Sequence, residues 1–341
     1  VLRINIGSLK PGVKLGKDIF TSNAQLLLPA GTVISNEHLQ SFKSRNITEV
    51  FIMEASPKLK SEKKFDDVYS DSLTVVKSFM LEAKLGKPLE MDEISDTTNL
   101  LLEQVFDAGD LFRQMRLMKD KDDYLFTHSV NVALLCILIG RWLNYDKETI
   151  KELGEAGLVH DIGKVFIPDH VLNKPGKLTN DEYEEMKKHT VMGYNLLIQS
   201  EAVSNNIATA ALMHHERADG SGYPMGKKGY DIGLCSSVVA VADVYDAVTS
   251  TRVYSTKRSP YIAAEILWEE SFGKLDPRIS KVFYDKVTNF YVGNEVLLSN
   301  NERGLVIYVD PTQPTRPVVK VGEKFYDLNK DRSLTVMEII D

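Results

Sequence analysis

The sequence has little cysteine, no excess of basic charge and no long apolar run, and each shortage closes off a class of function. Two cysteines, Cys136 and Cys235, among 341 residues cannot build a disulfide framework. Both sit in apolar stretches, so buried free thiols in a reducing compartment are expected. Lysine and arginine number 41 against 48 acidic residues, a net charge of −7. A surface that grips long nucleic acid needs the opposite balance. The first residues, VLRINIGSLKPGVKLG, do not place a basic segment before an apolar one, as a secretory signal does. The longest apolar run, residues 132–140, is about half of what a membrane span requires. A cytoplasmic protein without a membrane span is the expectation. Internal repeats and low-complexity tracts are absent from the sequence as well.

What is present falls into four stretches. Residues 1–56 read as a small α+β module. QLLLPAGTVI sets a Pro-Ala-Gly turn between two apolar runs, NEHLQSFKSRNI has helical spacing, and EVFIM reads as a strand. Residues 57–122 are charged and poor in glycine and proline. They are expected to form a helical linker or regulatory region, with helices over 65–85 and 96–118 separated by the breaker GKPLEM. Amphipathic helices of this kind fit signal transmission, a homodimer contact or simple packing. Residues 123–289 read as helix after helix, each with histidine or aspartate among apolar residues. Over 290–341 the runs NEVLLS, GLVIYV, PVVKV and EKFYDL suggest a small β appendage. The fold class is mainly α, flanked by a β-containing N-terminal module and a β C-terminal appendage.

Of the seven histidines, His38 and His170 lack informative company and read as surface or loop residues. The other five stand in apolar helical surroundings. His160 and Asp161 end an apolar-faced helix, where a hydrogen-bonded pair is the plain alternative to a metal. His128 lies in DDYLFTHSVNVALL, a largely buried helix in which both ring nitrogens need partners. His189 follows a capping-box start at Thr179 and Glu182. His214 and His215 end the apolar run NNIATAALM, a pair that backbone groups alone satisfy poorly. Asp243 sits in LCSSVVAVADVYDAVTS, apolar nearly all round, where an unpartnered carboxylate costs several kcal/mol. A divalent ion accepts a lone pair from each of these groups. Seven ligands exceed the four of a structural zinc. With Asp161 and one hydroxide bridging two ions, the set gives about five bonds per ion. Mixed imidazole and carboxylate donors suit iron or manganese first, with zinc or nickel also compatible.

HSVNVA, HDIGK, IPDHVLNKPGKLTNDEYEEMKKH, HHERADGSGYP and VADVYDAVTSTRVYS, in that order over residues 123–265, resemble the HD-GYP family of the HD phosphohydrolase superfamily. The resemblance implies a helical HD-type domain that hydrolyses cyclic di-GMP to linear pGpG, or to GMP after a second cut. It implies His128, His160, Asp161 and Asp243 around one ion, and Asp161, His189, His214 and His215 around the other. The bridging hydroxide would attack phosphorus, with Asp161 and Lys164 as catalytic residues.

Substrate contacts are expected from the glycine-rich loop carrying Gly222, Tyr223 and Pro224, and from Lys164, Arg252 and Lys257 as phosphate partners. Asp246, three residues after Asp243, is expected either beside substrate and water or as the orienter of a ligand. Two departures from the family pattern stand out. Ser255 replaces a basic residue after Arg252, which Lys257 or Arg258 would have to supply. Tyr124 stands where some members carry a glutamate for a third ion, so two ions are expected. Two other readings stay open: an HD phosphohydrolase for a different nucleotide, and a signalling or binding module without turnover.

Overall fold

The computed structural model describes residues 2–5, 9, 13–16, 19–20, 26–29, 31–44, 49–52, 64–105, 111–118, 124–250, 259–287, 293–310 and 312–340. The chain divides into two units, Val1–Glu62 and Lys63–Asp341. In the first, β1 (Leu2–Asn5), β2 (Ile19–Phe20), β3 (Leu26–Leu28), α1 (Asn36–Ser44) and β4 (Glu49–Ile52) follow in order. β1 pairs antiparallel with β4, and β2 with β3. Leu15, Ile34, Phe42 and Val50 form a small core of their own.

The second unit begins with α2 (Phe65–Lys84), α3 (Met91–Gln104) and α4 (Leu111–Met118). Their apolar residues at helical spacing are buried: Val68, Tyr69, Val76, Phe79 and Met80 on α2, then Ile94, Leu101 and Leu102 on α3. Of the helix expected over 96–118, the described residues give α3, which starts five residues earlier at Met91, and α4; residues 106–110 lie outside the described residues.

α5 (Tyr124–Trp142) is the central helix, buried continuously from Thr127 to Gly140. By length and composition it passes as a membrane-crossing helix, yet its surface is covered by neighbouring helices. α6 (Lys147–Val159) packs along it. Asp146 caps α6, accepting the Thr149 amide at 2.9 Å. A 3₁₀ turn, Ile162–Phe166, and α7 (Asp169–Leu172) lead to α8 (Asn180–Leu197). α8 opens with both halves of the capping box, Thr179 on the Glu182 amide and Glu182 on the Thr179 amide. Gly163 lets this turn lie on α8, since a β-carbon there would sit 1.9 Å from the His189 carbonyl oxygen. α9 (Asn205–Met213), α10 (Leu234–Thr249), α11 (Pro260–Glu270) and α12 (Pro277–Val287) complete the helices among the described residues.

The last segment is an antiparallel sheet ordered β8-β7-β6-β5-β9. It comprises β5 (Glu295–Leu298), β6 (Arg303–Tyr308), β7 (Val318–Val321), β8 (Lys324–Asp327) and β9 (Val336–Ile340). Val296, Leu298, Val306, Val319 and Val336 join the same core as the helices. The four apolar runs read from the sequence become β5 to β8. β9 was not anticipated: its Met337 and Glu338 face solvent and blur the alternation that marks a strand.

Candidate metal centre

Seven positions on or beside α5, α6, α8, α9 and α10 converge around the turn that follows α6. His128 projects from α5, His160 is the C-cap of α6, Asp161 starts the 3₁₀ turn, and His189 lies on α8. His214 is the C-cap of α9, with His215 next to it, and Asp243 lies on α10. These seven residues form two groups, Asp161–His189–His214–His215 and His128–His160–Asp243, and within each group the donor atoms lie within 4.8 Å of one another. Asp161 joins the groups. Its Oδ2 is 3.2 Å from His160 Nε2 and 3.5 Å from His128 Nε2. Its Oδ1 is 3.5 Å from His189 Nε2 and 3.7 Å from His214 Nε2. All seven expected ligands are therefore brought together, whereas His38 and His170 lie elsewhere, on α1 and α7.

The hydrogen bonds fix which nitrogen of each ring is available. Carbonyl oxygens only accept, so Nδ1–H of His160 donates to Gly157 at 2.8 Å, that of His189 to Met186 at 2.7 Å, and that of His214 to Ala211 at 3.0 Å. The Nε2 lone pairs then point inward. Those of His189 and His214 face each other at 3.4 Å, and the buried His160 Nε2 and Asp161 Oδ1 make no hydrogen bond. Converging lone pairs and unsatisfied buried acceptors are costly unless a cation lies among them. The donor set thus fits a pair of divalent ions.

His128 differs. Its Nδ1 meets Asp246 Oδ2 at 2.8 Å, while its Nε2 lies 3.1 Å from Asp243 Oδ1. Burial favours the neutral ring, but the hydrogen bonds to Asp243 and Asp246 outweigh it and raise the pKa to about 9. Burial holds His189 down to about 4 and His215 to about 3, and holds His214 well below its usual value. Burial would raise Asp161 and Asp243, yet the surrounding histidines, with Lys164 beside Asp161, hold both well below the usual carboxylate range. Two ionised carboxylates beside the neutral imidazoles of His189, His214 and His215 form an electronegative basin.

Around this centre the sequence-derived contacts separate. Lys164 Nζ lies 2.5 Å from Asp161 Oδ2, at the edge of the cluster. Tyr223 stacks on His215 with ring centres 4.8 Å apart, and its hydroxyl pKa is raised by burial. Gly222 faces backbone, since a β-carbon would fall 2.3 Å from the Arg217 nitrogen and 2.4 Å from Glu216 Cα. Its part is to let the loop close. Pro224 is exposed. Asp246 is 1% exposed and engaged by His128, Asn131 and Ser250, so it orients a ligand and is closed to substrate. Arg252, Ser255 and Lys257 lie outside the described residues. Tyr124 stacks on His128 with centres 5.5 Å apart, so a ring fills the place of a third-ion carboxylate.

Several participants escaped the sequence reading. Buried Glu216 clasps the glycine-rich loop, accepting the Met225 amide at 2.7 Å and the Lys227 amide at 2.9 Å. Its place directly after His214-His215 was the available signal. Lys187 places Nζ 5.5 Å from the Tyr183 ring centre and 5.7 Å from that of Tyr223, forming a cationic rim. Asn131 and Tyr69 enter the hydrogen bonds behind His128. Asn131 was marked only by lying three residues after His128 on the same helix.

Comparison with known proteins agrees with this architecture. Residues 113–279 match the HD domain family model. The chain is 35% identical to "Cyclic di-GMP phosphodiesterase PA4108" of Pseudomonas aeruginosa over 254 residues, 74% of this chain and 61% of that protein. It is 38% identical to "3'3'-cGAMP-specific phosphodiesterase 1" of Vibrio cholerae over 174 residues, 50% of this chain and 40% of that protein. The chain thus spans at most about three fifths of these relatives. Among solved structures, Bd1817, an HDGYP protein of Bdellovibrio bacteriovorus, aligns over 83% of this chain and 98% of its own. Its TM-score is 0.55 at 15% identity, which speaks for the fold alone. Residues 113–279 thus resemble an HD domain, and 254 residues of the chain resemble a protein named as a cyclic di-GMP phosphodiesterase.

Proposed function

We propose that this protein is a metal-dependent phosphodiesterase that hydrolyses cyclic di-GMP in the cytoplasm, giving pGpG, or GMP after a second cut. The observation that carries the reading is the meeting of two buried His/Asp groups on the single carboxylate of Asp161. Two divalent ions, iron or manganese by the donor set, would supply an activated water and charge neutralisation at phosphorus.

The chain's own groups do the rest. His160, His189 and His214 offer Nε2 with Nδ1 tied to backbone, so the donors are aimed before any ion arrives. Lys164, anchored on Asp161, sets a positive charge beside the phosphoryl oxygens, and Arg252 is assigned the same task. Tyr223, held flat on His215, gives an aromatic wall for a guanine base. The loop clasped by Glu216 keeps that wall in place.

The relative named for 3′3′-cGAMP makes base identity the second question. The test is anaerobic purification, a metal count, and separate incubations with cyclic di-GMP and 3′3′-cGAMP followed by chromatography. Chelator-sensitive turnover of cyclic di-GMP with two ions per chain is expected. Turnover of 3′3′-cGAMP alone would move the substrate assignment. No turnover at full occupancy would leave a binding module.

A further inference from the structure

Behind the metal centre runs a buried chain of hydrogen bonds that begins outside the HD domain. Tyr69 on α2 is 1% exposed and donates its hydroxyl to Asn131 Oδ1 at 2.8 Å. Asn131 Nδ2 donates to Asp246 Oδ1 at 3.0 Å. Asp246 Oδ2 accepts Nδ1–H of His128 at 2.8 Å and the hydroxyl of Ser250 at 3.1 Å. His128 Nε2 then faces Asp243 and Asp161 at 3.1 and 3.5 Å. The family match begins at residue 113, so α2 lies before it in the chain.

The direction of each bond is dictated by its partner. An ionised carboxylate only accepts, so Asp246 requires a donor from Asn131, and the amide must present its NH₂ to it. The other end of that amide, Oδ1, is then turned toward α2, where Tyr69 supplies the donor. Without the hydroxyl, a buried carbonyl oxygen loses its partner, and the amide loses the contact that fixes its orientation. Asp246 in turn sets the tautomer and tilt of His128, as carboxylates behind metal-bound histidines do. α2 also packs against α5 and against the 3₁₀ turn that carries Lys164.

We infer that Tyr69 is a positioning residue for the ligand His128, so that its hydroxyl, reaching in from α2, governs how firmly one of the two ions is held. This rests on the metal-centre reading above. The consequence is directional: the ion at His128, His160 and Asp243 responds to that hydroxyl, and the ion at His189, His214 and His215 does not. α2 starts three residues after the first unit ends, at Phe65 against Glu62. A change in that unit therefore has a covalent path to the metal-retaining hydrogen bonds.

The experiment loads the full chain with manganese and follows its release to excess chelator by the signal of free manganese. The wild type should hold two ions and release them in two phases. Tyr69→Phe removes only the hydroxyl. It should keep both ions at saturating manganese but accelerate one release phase, by about tenfold on the scale of outer-shell substitutions, leaving the other unchanged. Val76→Ala, which loosens the buried face of the same helix without touching the hydrogen bonds, should leave both phases as in the wild type. Unchanged release in Tyr69→Phe would overturn the inference. So would equal acceleration in Val76→Ala, which would trace the effect to helix packing. A wild type that takes up no manganese would remove the metal-centre reading itself, and the initial count tells these failures apart.

Discussion

His128 donates its Nδ1–H to the carboxylate of Asp246, whereas His160, His189 and His214 donate theirs to the backbone carbonyls of Gly157, Met186 and Ala211. The two arrangements serve the same end, an Nε2 directed into the centre around the shared Asp161, but they respond differently to their surroundings. A backbone carbonyl is part of the helix and moves only with it. A carboxylate 118 residues away in the chain is held by its own partners, Asn131 and Ser250, and through them by Tyr69. One half of the centre is thus set by local helix geometry and the other by tertiary contacts. The charge states follow the same division: His128 is raised to about 9, while His189 is lowered to about 4.

The largest test of this division removes what the halves share. Asp161→Ala should lose both ions together and lower turnover by at least about a thousandfold, since several kcal/mol of charge stabilisation goes with them. A metal count alongside the assay checks it; retention of one ion would show that the halves are independent. Gly222→Ala comes next. Its β-carbon collides with Glu216 and Arg217, so the Tyr223 wall is displaced. Activity should fall by about a hundredfold with both ions kept, as misplacement on the order of 1 Å does elsewhere.

Asp246→Asn acts on the carboxylate-held half alone. It should weaken one ion by about 10–100-fold and leave the other's affinity unchanged, as read by competition with a chelator. The smallest effect is on the stability of the metal-free protein against pH. The His128 contribution is full below its unfolded value of 6.5 and is lost as pH rises through about 9. The His189 contribution is full above 6.5 and is lost as pH falls through about 4. Denaturant midpoints should therefore peak near pH 6.5 and decline on both sides. Loss of the alkaline decline in Asp246→Asn, with the acid decline intact, would assign the two limbs.

The local half of the centre was legible in the sequence, and the tertiary half was legible only in part. His160, Asp161, His214 and His215 end apolar helices, where polar side chains need partners, so residue type and spacing marked them as candidates, with a hydrogen-bonded pair left open for His160 and Asp161. The Thr179–Glu182 capping box was equally readable, because its partners lie three residues apart. The partner of Asp246 was left open between substrate and a ligand, since its contact with His128 spans 118 residues. Tyr69 left no trace in the sequence: a tyrosine in an amphipathic helix reads as core, and its hydroxyl finds Asn131 only through the packing of α2 on α5. The same limit explains β9, whose identity as a strand rests on pairing with β5.

The central claim is that Asp161 joins two ions into one centre. Electron paramagnetic resonance of the manganese-loaded chain tests it most directly. Two ions sharing one carboxylate should give a spin-coupled spectrum, and His128→Ala should convert it to the spectrum of a single isolated ion. Two magnetically isolated ions in the wild type would contradict the account.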